Sequence, residues 1–555
     1  MTTSEATATP RAPDTAAARP GGPRLRWPVA SPAVPAAVFV LVQLALVVPG
    51  SGLGWDEAVY VSQVGGNAPP AYFSAPRARG ISYLVAPVAA VTASTTAIRA
   101  YLAVLSGAAL WAALRVWRGI LPAPVLTAAG ALFAGLWVSL FYGPRVMPNL
   151  WCAFGALAAV GCFLRATGAA VATGAAAAGA VPSDTAPGRD RTGTGERAAA
   201  GGRTAAADRT AVRRRAALGG LGAAVAAVTL LRPADGFWLA LPLLAVALAA
   251  PAVRRRRRAV VAVLVVAPLL GAVPWIAEAH ARFGGLAARL RRAGEIQGSL
   301  GWNLAVDDHV RALAGRTLCR PCDVPWEHPV TAVWWFLLPP AVLGGVVAAL
   351  RADPARRGVA AVLATVTAAS LAAPYLFTLG YAAPRFLLPA YALLALPAAE
   401  CALFLRTALR PAWRPAATAL LAAALLAHLA VQYAVLDRAV TNSRSVRAQF
   451  TTVATALHRL GVRPPCLVSG REYVLIGYYA GCASRQPAGH DAAITPAGIT
   501  AAARRVPVAV VVRAGTPPPP YARAWRLAPL PSARGWERYD AYVSPAPARD
   551  GARRP

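Results

Sequence analysis

Long apolar runs, interrupted by arginine clusters and proline-bearing turns, set the pattern of this chain. Runs close to the roughly 20 residues a helix needs to cross a bilayer fall near 33–49, 98–114, 122–141, 147–165, 216–231, 236–250, 259–277, 330–350, 358–379, 386–405 and 415–433. The run 81–91 is apolar but too short to span, and reads as a re-entrant or juxtamembrane helix. Past 433 the pattern changes. Residues 446–460 have amphipathic helical spacing, stopped by Gly461 and Pro464-Pro465. The stretches 466–468 and 508–512 read as short buried strands, with helical 472–479 between them. The expected fold is an α-helical polytopic membrane protein of about eleven spans plus a juxtamembrane helix, carrying a small external C-terminal α/β domain.

Charge turns these runs into a threading. The net charge of +33 comes entirely from arginine among the basic residues, with no lysine in the chain. The arginines flank apolar runs, which is how topology is set, so anionic lipid is the expected partner and nucleic acid is not. With the N-terminus cytoplasmic, five clusters share the cytoplasmic side: Arg115 with Arg118, Arg213 to Arg215, Arg254 to Arg258, Arg351 with Arg356 and Arg357, and Arg406 with Arg410 and Arg414. Were 81–91 a full span, the second and third of these would fall outside. The chain then divides into a disordered cytoplasmic tail (1–32), a membrane domain (33–433), an external α/β domain (437–545) and a tail (546–555). The membrane domain holds a flexible Gly/Ala/Thr/Arg-rich cytoplasmic insertion at 166–213 and an external loop at 278–329. The all-arginine, alanine-rich composition fits a high-GC bacterial genome and a bacterial plasma membrane.

Cysteine use agrees with this threading. Cys152, Cys162 and Cys401 fall inside spans, where a thiol packs as a small apolar group. Cys319, Cys322, Cys466 and Cys482 fall on the external side, an even number that fits disulfides in an oxidising compartment. Cys319-x-x-Cys322 also matches half a zinc site or a redox pair, but no second pair with ligand spacing accompanies it, so no metal is assigned.

Chemistry concentrates at the external ends. The first external segment carries adjacent carboxylates, Asp56 and Glu57, where an ionised group defaults to a functional reading; Asp56 also suits the N-cap of a helix starting at Glu57. External turns bring Arg145, then Arg232 with Asp235, and Arg385 near Tyr381. A row of outward arginines suits a headgroup-level phosphate. Each has a plainer reading: Arg232–Asp235 as a local salt bridge, Arg145 as a snorkelling headgroup contact, His280 as a partnered interfacial histidine, and Glu278 as the ion-pair partner of Arg282. Tyr473, Tyr478 and Tyr479 suit core packing or sugar stacking. The tetraproline 517–520 reads as a polyproline II spacer.

With an Asp56-Glu57 pair in the first external loop, a short helix before the second span, the turn Arg232-Pro233-Ala234-Asp235-Gly236 and a late Arg385-Phe386-Leu387-Leu388-Pro389-Ala390-Tyr391 entry, residues 33–433 resemble the GT-C superfamily. These are integral-membrane glycosyltransferases using polyprenyl-phosphate sugars, including protein mannosyltransferases and lipid A aminoarabinose transferases. The order of elements carries more of the match than any single motif. The resemblance implies that Asp56 is the base and that Arg385 is among the groups facing the donor phosphate; their position in the external segments makes Glu57 a candidate beside Asp56, and Arg145, Arg232, Asp235, Tyr381 and His280 candidates around the substrates. The resemblance also implies a hexosyl or pentosyl transfer to a hydroxyl of a glycan, lipid or protein on the external face. The donor already carries a good leaving group, so no cofactor is expected, and no Walker or dinucleotide fingerprint is present. One base and direct displacement predict inversion. Two rival classes make different demands. A transporter or lipid-linked sugar flippase places ionisable groups at the midplane along a central path, whereas a membrane scaffold gives no reason for outward arginines to meet a carboxylate.

Overall fold

The computed structural model describes residues 31–168, 194–298, 301–533 and 535–545; both expected tails and 169–193 of the insertion lie outside the described residues. Eight of the described helices are long and apolar enough to cross a membrane, and this is a multi-pass membrane protein. Shorter apolar helices at Ala33–Val47, Ala123–Ala134 and Pro233–Ala249 occupy the three other expected spans.

In chain order, α1 (Ala33–Val42) continues as a π turn through Gln43–Val47 and leads to the short α2 (Trp55–Ser62). The juxtamembrane position is taken by α3 (Gly80–Ala89), followed by α4 (Thr95–Arg115). The expected span 122–141 is broken into α5 (Ala123–Ala134) and α6 (Trp137–Tyr142), because the poor helix former Gly135 is followed by an extended Leu136. Next come α7 (Asn149–Thr167), α8 (Thr194–Leu231), α9 (Pro233–Ala249) and α10 (Arg257–Phe283). α8 begins within the stretch expected to be a flexible insertion, so the last part of that stretch is helix.

The loop after α10 folds into α11 (Leu286–Ile296) and α12 (Val306–Ala312). The closing spans are α13 (Val333–Ala352), α14 (Val359–Phe377), α15 (Leu388–Ala408) and α16 (Arg414–Arg459). Proline opens α9 and the single turns before α14, α15 and α16. Its missing N–H costs nothing in a first turn. α16 corrects an expectation: the last span and the amphipathic stretch 446–460 form one 46-residue helix. No glycine or proline lies between them to stop it.

The C-terminal domain is a five-stranded sheet in the order β2-β1-β3-β5-β4. β1 (Leu467–Gly470) runs parallel to β2 (Ala483–Ser484) and β3 (Val508–Arg513), and β5 (Tyr539–Val543) runs antiparallel to β3 and to β4 (Arg526–Pro529). β3 is buried on both faces along Val508 to Val512, which is why it reads as a continuous apolar, valine-rich run. Between β1 and β2, α17 (Tyr473–Ala480) lies on α2. Tyr473 meets Trp55 edge-on at 5.2 Å, and the Tyr479 hydroxyl accepts from the Leu53 N–H at 3.0 Å. A side chain at Gly52 would run into Arg447 Cβ at 2.6 Å and the Tyr479 hydroxyl at 2.9 Å, so this close approach requires glycine. The domain is thereby seated directly over the first inter-span loop.

Candidate active site

Glu57 organises α2. Gly54 is the N-cap, and its N–H donates to Glu57 Oε2 at 2.8 Å, half of a capping box. The helix therefore begins at Trp55, and Asp56 is not its cap. Arg99 donates to Glu57 Oε1 at 2.7 Å and Oε2 at 3.0 Å, Arg145 to Oε2 at 2.7 Å, and the Val146 N–H to Oε1 at 2.9 Å. Glu57 is 2 % exposed and Arg99 not at all. Burial alone would raise the Glu57 carboxyl, but Arg99 and Arg145 hold it down at about 2. This carboxylate is committed to the protein. The expectation that Glu57 and Arg145 face substrate is corrected: together with Arg99 they lock α2 to α4 and to the turn before α7. Arg145 also donates to Ser443 of α16 at 2.7 Å, which pins the long helix to the same point.

Asp56, one residue earlier, points the other way. Its side chain keeps 36 % exposure, with Arg77 at 2.8 Å from Oδ1 and Arg385 at 3.5 Å from Oδ2. Burial pushes its carboxyl up, but Arg77 and Arg385 outweigh that and leave it below its ordinary value. Arg77 is fixed by a hydrogen bond to Ser74, and Arg385 by the Thr317 carbonyl at 2.6 Å and the Tyr142 hydroxyl at 3.4 Å. Arg385 Nε is buried with no partner among the described residues.

Arg232 joins from the α8–α9 turn. It does form the expected salt bridge to Asp235, at 3.2 Å, and it also accepts Tyr375 as a partner by donating to its hydroxyl at 2.7 Å; Tyr375 in turn donates to Asp235. The Phe386 ring lies between the two arginines, its centroid 5.4 Å from the Arg232 guanidinium and 5.2 Å from that of Arg385. Phe386 also stacks on Tyr375 at 4.9 Å. Five guanidinium groups (Arg77, Arg99, Arg145, Arg232, Arg385) thus meet three carboxylates (Asp56, Glu57, Asp235), an excess of two positive charges. Such an excess attracts an anion.

Tyr381 meets the Phe386 ring in an edge-on arrangement at 5.8 Å, and the Arg320 guanidinium lies over the Tyr381 ring at 4.8 Å, so it reaches the arginine pair only through Phe386. His280 makes no contact with this set among the described residues. It is exposed on α10, while its neighbour Glu278 turns inward to Arg79 at 2.5 Å and Arg289 at 3.1 Å, leaving Arg282 a distant third at 3.7 Å. Cys319 is bonded to Cys322 and Cys466 to Cys482, while Cys152, Cys162 and Cys401 are free thiols in α7 and α15. Among the described residues no three His, Cys, Asp or Glu side chains gather as a metal site would require.

The sequence alone gives no role to Tyr60, Tyr142, Tyr375, Phe386 and above all Arg99. Tyr60 feels the charges of Arg77, Asp56, Arg232 and Arg385 together, and burial pushes its hydroxyl up to about 12, so it stays a neutral donor. Below the arginines, α13, α14 and α15 enclose an apolar groove of about 520 Å³. Leu376 and Leu387 line it, next to Tyr375 and two residues from Arg385.

The architecture, with its acid in the first loop between spans, is one the chain shares with solved membrane proteins. Among solved structures the chain is similar to ArnT from Cupriavidus metallidurans bound to undecaprenyl phosphate, with a TM-score of 0.60 and 14% identity over 93% of this chain and 97% of that one. It is similar also to ArnT from the same organism in the apo state, with a TM-score of 0.57 and 12% identity over 92% and 97%. A third likeness, to the Archaeoglobus fulgidus oligosaccharyltransferase in the apo form, has a TM-score of 0.49 and 12% identity over 87% and 69%. No family model and no curated protein matches the sequence.

Proposed function

We propose that this chain is a membrane glycosyltransferase that moves a sugar from a polyprenyl-phosphate donor to an acceptor hydroxyl, with inversion at the anomeric carbon. The observation that carries the reading is Asp56, part-exposed between Arg77 and Arg385, with Arg232 held across Phe386 from Arg385. The donor phosphate would lie against Arg385 and Arg232, whose excess charge matches the anion released when the glycosidic bond breaks. Asp56 would take the proton of the acceptor hydroxyl, a contribution of about 10²–10⁴-fold. Its contact with Arg385 is long, so a phosphate that engages Arg385 would loosen that contact and make the carboxylate a better base.

The apolar groove beside Leu387 suits the first isoprene units of a lipid tail, and ArnT has been captured with undecaprenyl phosphate. Both disulfides lie on the Asp56 side of the molecule, which supports placing this side and the C-terminal domain in the external, oxidising compartment. The reaction draws no cofactor into the scheme, because the lipid phosphate is itself the leaving group. The acceptor class is a glycan, lipid or protein hydroxyl.

Membranes containing the protein, offered a panel of radiolabelled polyprenyl-phosphate sugars, should label a product whose anomeric configuration is opposite to that of the donor. No labelled product from any donor contradicts the transferase reading; retention contradicts single displacement.

A further inference from the structure

The tightest side-chain contact made by Arg385 is to a backbone atom, the Thr317 carbonyl at 2.6 Å. Two residues on, Cys319 pairs with Ala382 in both directions: its N–H donates to the Ala382 carbonyl at 2.8 Å, and the Ala382 N–H donates back at 3.2 Å. The same short hairpin therefore grips the guanidinium of Arg385 and the backbone three residues before it. The Cys319–Cys322 bond closes this hairpin. Cys319 is 2 % exposed and packs with Ala312 and Ala382, which are fully buried. On the far side of the turn, Arg311 of α12 holds the Val324 carbonyl, and Arg320 stacks on Tyr381.

A disulfide stabilises a fold in proportion to the logarithm of the loop it closes. The Cys466–Cys482 bridge spans 16 positions and joins the chain just before β1 to the chain just before β2, whereas Cys319–Cys322 spans three and gains little by that route. What it constrains is local: the hairpin that begins two residues after the Thr317 carbonyl held by Arg385. A guanidinium held by one strong acceptor and two long contacts takes its orientation from that acceptor.

We infer that the Cys319–Cys322 hairpin is a positioning element for Arg385, so that affinity for the donor phosphate depends on this disulfide being formed. The inference rests on the proposed role of Arg385 toward a polyprenyl phosphate. It makes the transferase fully competent only after oxidation in the compartment where it works.

The test uses the full-length protein in detergent or nanodiscs, with undecaprenyl phosphate as the probe. In the Cys319→Ala/Cys322→Ala double variant, affinity for the probe should fall roughly tenfold with little change in unfolding midpoint. Cys466→Ala/Cys482→Ala should show the reverse: a lower midpoint with affinity kept. Arg385→Ala should weaken binding in the wild type and much less in the Cys319→Ala/Cys322→Ala background, because a displaced guanidinium has less left to lose. Mild reduction of the Cys466→Ala/Cys482→Ala protein, in which only Cys319–Cys322 remains, should weaken binding to the same extent, and reoxidation should restore it. Unchanged affinity in Cys319→Ala/Cys322→Ala, or full additivity with Arg385→Ala, overturns the inference and leaves the transferase reading standing. A wild type that does not bind undecaprenyl phosphate, or binds it equally well without Arg385, overturns both.

Discussion

Asp56 and Glu57 are neighbours on one short helix, each flanked by two arginines, yet they stand in opposite surroundings. Glu57 receives five hydrogen bonds, from Arg99, Arg145, Gly54 and Val146, and is closed off from solvent. Asp56 has one firm partner and one distant one, and stays a third exposed. A carboxylate whose lone pairs are filled can only hold structure, while one with a free edge can still accept a proton. The difference between floor and mouth lies in donor count and access, because residue type and charge are nearly the same.

The comparison can be broken most severely at the floor. Glu57→Ala leaves Arg99 and Arg145 buried without their counter-ion, a loss of about 3–5 kcal/mol, and should appear as poor recovery of folded protein or a large drop in unfolding midpoint. At the mouth, Arg385→Ala should keep the midpoint and lower turnover about a hundredfold, measured as initial transfer rate at saturating donor. Arg232→Ala should resemble it with some added instability, since Asp235 and Tyr375 lose their shared partner.

pH separates the two carboxylates further. Glu57 has its folded pKa depressed from 4.5 to about 2, so it binds fewer protons folded than unfolded; its contribution is whole above pH 4.5 and disappears as pH falls toward 2. The unfolding midpoint should drop across that window. Asp56 is also lowered, by Arg77 and Arg385 against the cost of burial, so transfer should lose its base only below the ordinary carboxylate range. Arg77→Ala removes a charge that favours the ionised form, and the acid limb of the pH–rate profile should move to higher pH. The smallest effect is expected at His280, where alanine should leave both rate and midpoint unchanged.

The apolar helices, the short helix before α4 and the turns that carry Asp56, Arg232 and Arg385 were legible because apolar runs and proline turns are local signals. The division of labour between Asp56 and Glu57 was not, since it depends on donors 42 and 88 residues away. Arg99 was hidden by standing inside a run that reads as a span; a lone arginine near the start of such a run could have signalled a buried partner. Thr317 acts through a carbonyl, which every residue has, so nothing in its identity points to Arg385. The continuity of α16 was legible in principle from the missing breaker between 433 and 446. The exposure of His280 was not legible because spacing on a helix does not tell which side faces in, and here Glu278 takes the inner face.

The most direct measurement follows label from a polyprenyl-phosphate sugar into product, in membranes holding equal amounts of folded wild-type or Asp56→Asn protein. The amide variant should transfer at least about a hundredfold more slowly while still binding the lipid donor. Equal labelling by the two proteins would contradict this.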